Sequence, residues 1–252
     1  MITVDLPSPA ALEAASSAFT FALVGIGAVI VASAIAAATW ARSLNTWALG
    51  GVSFVLSQTA QVVTLFLFGP LIAAFTSAPL QEASRAIILS TAARGVRSER
   101  PSAAFGFGHG AIDLLTSSLI PTLSAVIILG GIRDGSIFVG LDAEVTEKVN
   151  AVAIFLASQT LFSAALLVIQ GALMLGLHAL LTAMVLRVVV RGGGARTIGR
   201  GLLLPIAVHS PVAVVRTLFP TMTMPVLLLA LLVAALVYRR DQGAMAESTP
   251  NQ

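Results

Sequence analysis

Long apolar stretches dominate this chain of 252 residues, and they constrain its fold more than any other feature. Each stretch supplies about 20 mostly apolar residues, the length of helix that crosses a bilayer. Only 10% of the residues are charged, against about 25% in soluble domains, so the chain has too little polar surface to face water on all sides. We therefore predict an all-α bundle of about seven membrane-spanning helices, at residues 17–40, 46–68, 70–93, 103–131, 168–190, 201–219 and 221–238.

The distribution of arginine predicts the orientation of this bundle. If the N-terminus lies outside and the C-terminus inside, ten basic residues fall at the inner loops and helix ends, in keeping with the positive-inside rule: Arg42, Arg94, Arg97, Arg100, Arg187, Arg191, Arg196, Arg200, Arg239 and Arg240. Arg133, Lys148 and Arg216 fall towards the outside. The apolar stretch 149–167 is a possible eighth span, but an eighth span would place the four-arginine loop, Arg187 to Arg200, outside. We therefore expect 149–167 to be an interfacial or re-entrant helix.

The rest of the composition limits the domain organisation and the partners. We expect one transmembrane helical domain over residues 1–240 and a disordered cytoplasmic tail over 241–252. The chain has no cysteine, which excludes disulfide and thiolate chemistry. Its basic residues adjoin apolar runs, a pattern typical of membrane orientation and not of nucleic-acid binding. We therefore expect the chain to contact the lipid bilayer. We also expect it to be an integral protein of a prokaryotic plasma membrane.

Six ionisable residues lie well inside the predicted spans, away from their ends. Glu82 and Asp113 are the only acids there, and they are accompanied by Arg85 and by every histidine of the chain, His109, His178 and His209. A charge at the centre of a bilayer costs roughly 2.5–3.5 kcal/mol on insertion scales, and such residues usually face the bundle interior or a wet cavity. Each residue taken alone could be a structural hydrogen-bonding or ion-pairing group. Taken together, they predict a buried polar site.

The spacing of these residues indicates how the site is assembled. Glu82 and Arg85 are three residues apart and share a helix face, as do His109 and Asp113, which are four apart. Glycines at 106, 108 and 110 flank His109 and allow a neighbouring helix to approach closely. At about 1.5 Å of rise per residue, the four helices carry their polar groups roughly 9–18 Å from the inner ends, so one site can gather them.

The order of these motifs resembles the YhfC-type membrane proteins, which are distant relatives of the prenyl-protein and bacteriocin-processing (CPBP) glutamate-dependent intramembrane proteases. The resemblance covers about residues 70–215. It rests on QEASR, then GFGHGAID, then two helices with one histidine each. The family's glutamate/arginine motif falls on Gln81, Glu82 and Arg85, its Gly-His-Gly-x-x-Glu motif on residues 108–113, and its later histidines on His178 and His209.

The resemblance implies peptide-bond hydrolysis within the membrane. Glu82 would be the general base for a water bound with His109, and His178 or His209 would donate to the oxyanion. The substrate would be a membrane protein or peptide. The chain departs from the family at three positions, where it has Gln81 in place of a glutamate, Asp113 in place of a longer acid, and Ala213 in place of a polar residue.

Three other functions stay open at this point. The glutamate mechanism requires no cofactor. A zinc mechanism is an alternative, and its ligands would be His109, His178, His209 and Glu82. The HExxH signature of many zinc proteases is absent from the sequence. The departures from the family favour a pseudoprotease, that is, a membrane scaffold or transport subunit that binds a partner helix or ligand in the same cavity. A proton-coupled transporter would also use buried carboxylates and histidines.

Overall fold

A computed structural model describes residues 6–192 and 195–247, and nearly all of these residues are helical. No β-strand occurs within them, so the predicted all-α fold is confirmed. The helices are α1 (Pro9–Thr39), α2 (Leu44–Ser90), α3 (Glu99–Leu114), α4 (Ile120–Arg133), α5 (Ala143–Ala157), α6 (Leu161–Arg191), α7 (Ala195–Leu218) and α8 (Thr223–Glu247). A π-helical segment, Leu115–Leu119, joins α3 to α4, and together they form one helical stretch of 35 residues, Glu99–Arg133.

Helix α2 reverses direction at Gly69. This glycine has a positive φ of 81° with ψ at 175°, a conformation open mainly to glycine, and Pro70 follows it. Beyond the break, the Gln61 amide donates to the carbonyl of Ala73 at 2.5 Å. In a straight helix these two residues would be about 18 Å apart, so the chain must fold back on itself. Residues 44–68 and 70–90 are therefore two packed arms, which we call α2a and α2b.

Within residues 6–192 and 195–247, six helical stretches are long and apolar enough to cross a membrane: Pro9–Thr39, Leu44–Ser90, Glu99–Arg133, Leu161–Arg191, Arg196–Leu218 and Pro220–Arg240. At about 1.5 Å per residue, α2a and α2b measure roughly 37 and 31 Å, so each arm alone matches the bilayer core. Counting both arms gives seven, in line with the predicted spans 46–68 and 70–93 on either side of Gly69. The N-out orientation stays a prediction.

The segment 149–167 is not a single helix. Helix α5 covers its first part and ends at Ala157, and α6 begins at Leu161. The 15 residues of α5 span only about 22 Å, too short for the hydrocarbon core. Helix α5, which begins at Ala143, is thus the candidate for the expected interfacial or re-entrant helix, and that placement stays a prediction. The following span starts seven residues earlier than the predicted position 168.

The helices group into two compact units. The first contains residues up to 30 and residues 114–172. In it, buried side chains of α1 pack with those of α4 and α5: Leu12, Ala15, Ala125, Leu129, Ile132, Ala153 and Leu156. Asp142 caps α5 by accepting a hydrogen bond from the backbone N–H of Val145 at 2.8 Å.

The second unit contains residues 31–113 and the chain from 173 onward, and it holds all six predicted site residues. Its apolar core lies where α2b, α3, α6 and α7 meet: Ala86, Leu89, Ala93, Val96, Phe105, Val185, Leu186 and Leu202. Outward faces of both units carry large apolar side chains, with Phe66 83% exposed and Phe162 72% exposed. Such faces suit contact with lipid and not with water.

Glycines let the helices of the second unit touch backbone to backbone. A Cβ on Gly108 of α3 would lie 1.8 Å from the carbonyl oxygen of Trp47 in α2a, and one on Gly50 would lie 1.9 Å from that of Phe105. On the opposite side of α3, Cβ atoms on Gly106 and Gly110 would meet α6 at 2.5 and 2.8 Å. The expected role of the glycines around His109 is therefore confirmed: they seat α3 between α2a and α6.

The predicted disordered tail, residues 241–252, overlaps the last part of α8. Helix α8 continues to Glu247, through the first part of that tail, and residues 248–252 lie outside the described residues. The disorder of the tail stays a prediction.

Replacing Gly108 with alanine should lower the thermal unfolding midpoint of the purified protein in detergent. The added Cβ would overlap the Trp47 carbonyl, and overpacking of this kind costs about 1–3 kcal/mol. Gly199→Ala in α7 is the matched control, because a Cβ there meets no atom within 4 Å. Equal midpoints for the two variants would contradict the packing of α3 against α2a.

Candidate active site

Arm α2b carries the first pair of the predicted site, Glu82 and Arg85. The two side chains lie on one helix face, and Arg85 Nη1 donates to Glu82 Oε1 in a salt bridge. Neither side chain is exposed to any extent. Burying an isolated charge is costly, and pairing with good hydrogen bonds offsets that cost. The expected Glu82–Arg85 ion pair is therefore present in the interior of the second unit.

The same arginine reaches the histidine of α6. Arg85 Nη2 donates to His178 Nδ1. Since arginine has no acceptor, this contact requires a lone pair on Nδ1, and the ring hydrogen of neutral His178 must lie on Nε2. Nε2 is 3.2 Å from Asp113 Oδ2, to which it can donate. Both nitrogens of His178 are thus occupied, and the ring links Arg85 to Asp113.

Asp113 has a second partner, the cationic Arg216 of α7, which the sequence did not assign to the site. Its Nη1 and Nη2 atoms donate to the two carboxylate oxygens at 2.8 and 3.1 Å, the bidentate geometry that arginine favours with carboxylates. The Arg216 side chain is 27% exposed, and Asp113 is nearly fully buried. The prediction placed Arg216 among the outer charges. Its position seven residues after His209, two turns along the same helix face, is the signal that could have found it.

Glu82 also binds the histidine of α7. His209 Nδ1 lies 2.6 Å from Glu82 Oε1, the oxygen that accepts from Arg85. The other carboxylate oxygen, Oε2, is buried and has no hydrogen-bond partner in the described part of the chain. Buried carboxylate oxygens are almost always paired, so an unpartnered one is an unusual feature. The Glu82 carboxylate is therefore held by one oxygen and leaves the second available to a small molecule such as water.

His109 occupies the other side of the cluster. Its Nδ1 is 2.7 Å from the hydroxyl oxygen of Ser53 in α2a, and its Nε2 is 3.1 Å from Gln81 Oε1 in α2b. The His109 ring centroid is 5.1 Å from that of His178, which is 5.5 Å from that of His209. Ser53 was missed because a serine within an apolar span is common and carries no charge. Gln81 was predicted only as a departure from the family motif.

All six predicted residues therefore belong to one connected set of contacts, which we call the buried cluster: Glu82, Arg85, His109, Asp113, His178 and His209. Each is at most 2% exposed. Four helical segments supply them, α2b, α3, α6 and α7. With neutral histidines, the two carboxylates of the cluster balance Arg85 and the adjoining Arg216, so the cluster together with Arg216 carries no net charge. This neutrality is what permits four ionised groups to be buried together.

Fold and cluster together define a class: a polytopic helical membrane protein with a charge-compensated carboxylate, arginine and histidine site inside its bundle. A family model described as YhfC intramembrane metalloprotease matches residues 14–235. The chain belongs to this family, and the resemblance seen in its sequence motifs is confirmed. Neither the curated proteins nor the solved structures contain a significant match to it.

The family description implies a metal ion, and the donors of the buried cluster do not fit one. In the described ranges, no three or more His, Asp or Glu side chains are arranged to hold a metal. The physical reason is Arg85, whose guanidinium lies between Glu82 Oε1 and His178 Nδ1 and donates to both. A cation already sits between two of the predicted zinc ligands, and the remaining nitrogen of His178 faces Asp113.

Removing the carboxylate of Asp113 should destabilise the protein far more than removing an exposed one. Asp113→Ala leaves the partly buried Arg216 without its counter-charge, and breaking such a pair costs about 3 kcal/mol or more. Glu144→Ala breaks the exposed Lys148–Glu144 pair, with side chains 69% and 78% exposed, and should cost less than about 1 kcal/mol. Unfolding midpoints in detergent measure both. A larger shift for the Glu144 variant would contradict the charge compensation described here.

Proposed function

We propose that this protein hydrolyses peptide bonds of membrane proteins or peptides within the bilayer, with Glu82 as the general base. Membership of a family described as YhfC intramembrane metalloprotease supports the reaction class, peptide-bond hydrolysis within the membrane, and the glutamate base in place of a metal is our proposal. The observation that carries the proposal is the free, buried Oε2 atom of Glu82. A carboxylate fixed through Oε1 by an arginine and a histidine presents Oε2 in a defined direction, as a base that orients one water molecule must.

The reaction follows from this arrangement in two steps. Glu82 takes a proton from water, the water oxygen bonds to the carbonyl carbon of the scissile peptide, and the carbonyl electron pair moves onto its oxygen. The tetrahedral intermediate then collapses, the C–N bond breaks, and Glu82 returns its proton to the leaving amine. The carboxylate is regenerated, and no oxidant, reductant or cofactor is consumed.

Arg85 is the best candidate for stabilising the oxyanion. Its Nε atom is buried without a hydrogen-bond partner in the described part of the chain, so one N–H of the guanidinium remains available. A fixed positive charge in a site that excludes water stabilises developing negative charge more than it does in bulk water. The sequence suggested His178 or His209 for this role. In the proposal His178 positions Arg85 instead, because both of its nitrogens are occupied.

Glu82→Gln should abolish proteolysis when assayed well below its own unfolding midpoint, which is measured alongside because the variant loses the charge that compensates Arg85. The amide keeps the shape of the carboxylate but cannot take a proton from water, and losing a general base costs about 100-fold or more in rate. Cleavage of a co-expressed membrane-protein substrate, or of fluorogenic transmembrane peptides in proteoliposomes, measures the effect. Glu13→Gln, an exposed change on α1, is the control. Full activity in Glu82→Gln would refute the proposal.

Hydrolysis should persist after chelation of divalent metals, because Arg85 stands between two of the zinc ligands that the sequence suggested. Metal analysis of the purified protein should find well below one zinc per chain, and cleavage should survive 1,10-phenanthroline. Stoichiometric zinc that disappears in His109→Ala would support the metal mechanism and overturn this prediction.

One observation favours a second candidate function, a pseudoprotease that binds a partner helix or ligand. The family position for a second glutamate holds Gln81, whose amide oxygen lies 3.1 Å from His109 Nε2. If that glutamate is required for catalysis, the native protein is inactive and Gln81→Glu should gain peptidase activity. Partner binding that survives Glu82→Ala would favour this second function. Native activity that Glu82→Gln removes would favour the first.

A further inference from the structure

A cavity of about 220 Å³ lies in the second unit, away from the residues of the buried cluster. It is formed by the start of α3, the end of α6 and Tyr238 of α8. Three arginines line it, Arg97, Arg187 and Arg191, against a single acid, Glu99. The charge of the lining is therefore positive by two, which favours an anionic occupant.

The deepest polar group of this cavity is the hydroxyl of Ser102. The side chain is completely buried, and its Oγ has no hydrogen-bond partner in the described part of the chain. Ser102 lies in the first turn of α3, where the backbone N–H groups give the helix end a partial positive charge. A buried hydroxyl that lines a cavity and has no partner in the described residues can be satisfied by a polar atom of a molecule bound there.

The cavity also has an apolar wall. Leu186 and Val190 of α6 line it, and Val190 is 48% exposed. On the other side, the Arg187 guanidinium stacks over the ring of Tyr238 with its central carbon 4.1 Å from the ring centroid, and Nη1 donates to the Tyr238 carbonyl at 3.2 Å. The arginine is thus held in place beside an apolar surface. A molecule that carries both a negative charge and an apolar chain fits such a lining.

We propose that this cavity binds the phosphate headgroup of an anionic membrane lipid. The phosphate would accept hydrogen bonds from the arginines and from Ser102, and the first part of an acyl chain would lie along Leu186 and Val190. Basic pockets between transmembrane helices bind acidic headgroups in this way. A lipid accounts for the apolar wall, which a free phosphate would leave unused. The proposal does not rest on the proposed proteolysis.

The test uses the full-length protein, purified in a neutral detergent. It is titrated with short-chain phosphatidylglycerol, with phosphatidylcholine of the same chain length, and with inorganic phosphate, and binding is read by native mass spectrometry. Phosphatidylglycerol should bind in preference to the other two. Arg97→Gln and Arg191→Gln should each weaken it about fivefold, the contribution expected of one basic residue near an acidic headgroup.

Two further variants make the test specific. Arg200→Gln, an exposed arginine of α7 outside the cavity lining, removes the same charge and should leave binding unchanged. Ser102→Ala deletes only the unpartnered hydroxyl, so this variant should fold normally and still bind phosphatidylglycerol more weakly. Equal weakening by Arg200→Gln would show general surface attraction and overturn the proposal, as would equal binding of phosphatidylcholine. Inorganic phosphate bound as tightly as phosphatidylglycerol would show an anion site without lipid selectivity.

Discussion

The salt bridge between Glu82 and Arg85 is the interaction on which the rest of the site depends. Both side chains are fully buried in a segment that is apolar enough to lie in a membrane, where an unpaired charge is expensive. One carboxylate cannot satisfy all five N–H groups of a guanidinium. Arg85 therefore needs a second acceptor, which is His178 Nδ1, and this contact fixes the tautomer of the ring. The ring then needs an acceptor at Nε2, which Asp113 provides, and Asp113 in turn takes its counter-charge from Arg216.

These contacts exist because the helix backbones approach each other unusually closely. Gly108 and Gly106 let the backbone of α3 approach the backbones of α2a and α6, and Gly110 makes room for the side chain of His178. The ring of His109 therefore reaches Ser53 on one neighbour and lies 5.1 Å from the ring of His178 on the other. The reversal at Gly69 is equally necessary, since it returns α2b alongside α2a. The small residues thus position the polar ones.

The sequence predicted the spans and the members of the cluster better than it predicted their contacts. The length of an apolar stretch and the lack of charge within it are local properties of the sequence. The reversal between 46–68 and 70–93 and the six buried residues could therefore be predicted from the sequence directly. Which side chains contact each other depends on how the helices pack, and this is not a local property of the sequence. The shared helix face of His109 and Asp113 did not reveal that Asp113 lies against His178 and Arg216. Arg216, at a span end, resembled an ordinary interfacial charge, and Ser53 an ordinary helix-packing residue.

The positions of the side chains also bear on the catalytic mechanism. Arg85 lies where a metal shared by Glu82 and His178 would have to lie, and this favours a carboxylate base over a metal-bound water. The most direct test is an electron cryo-microscopy map of the protein in a lipid nanodisc at a resolution that shows side chains. The account predicts that Arg85 lies within hydrogen-bonding distance of both Glu82 and His178. A map in which these side chains face separate helix interfaces, or in which a metal ion lies between Glu82 and the histidines, would contradict it.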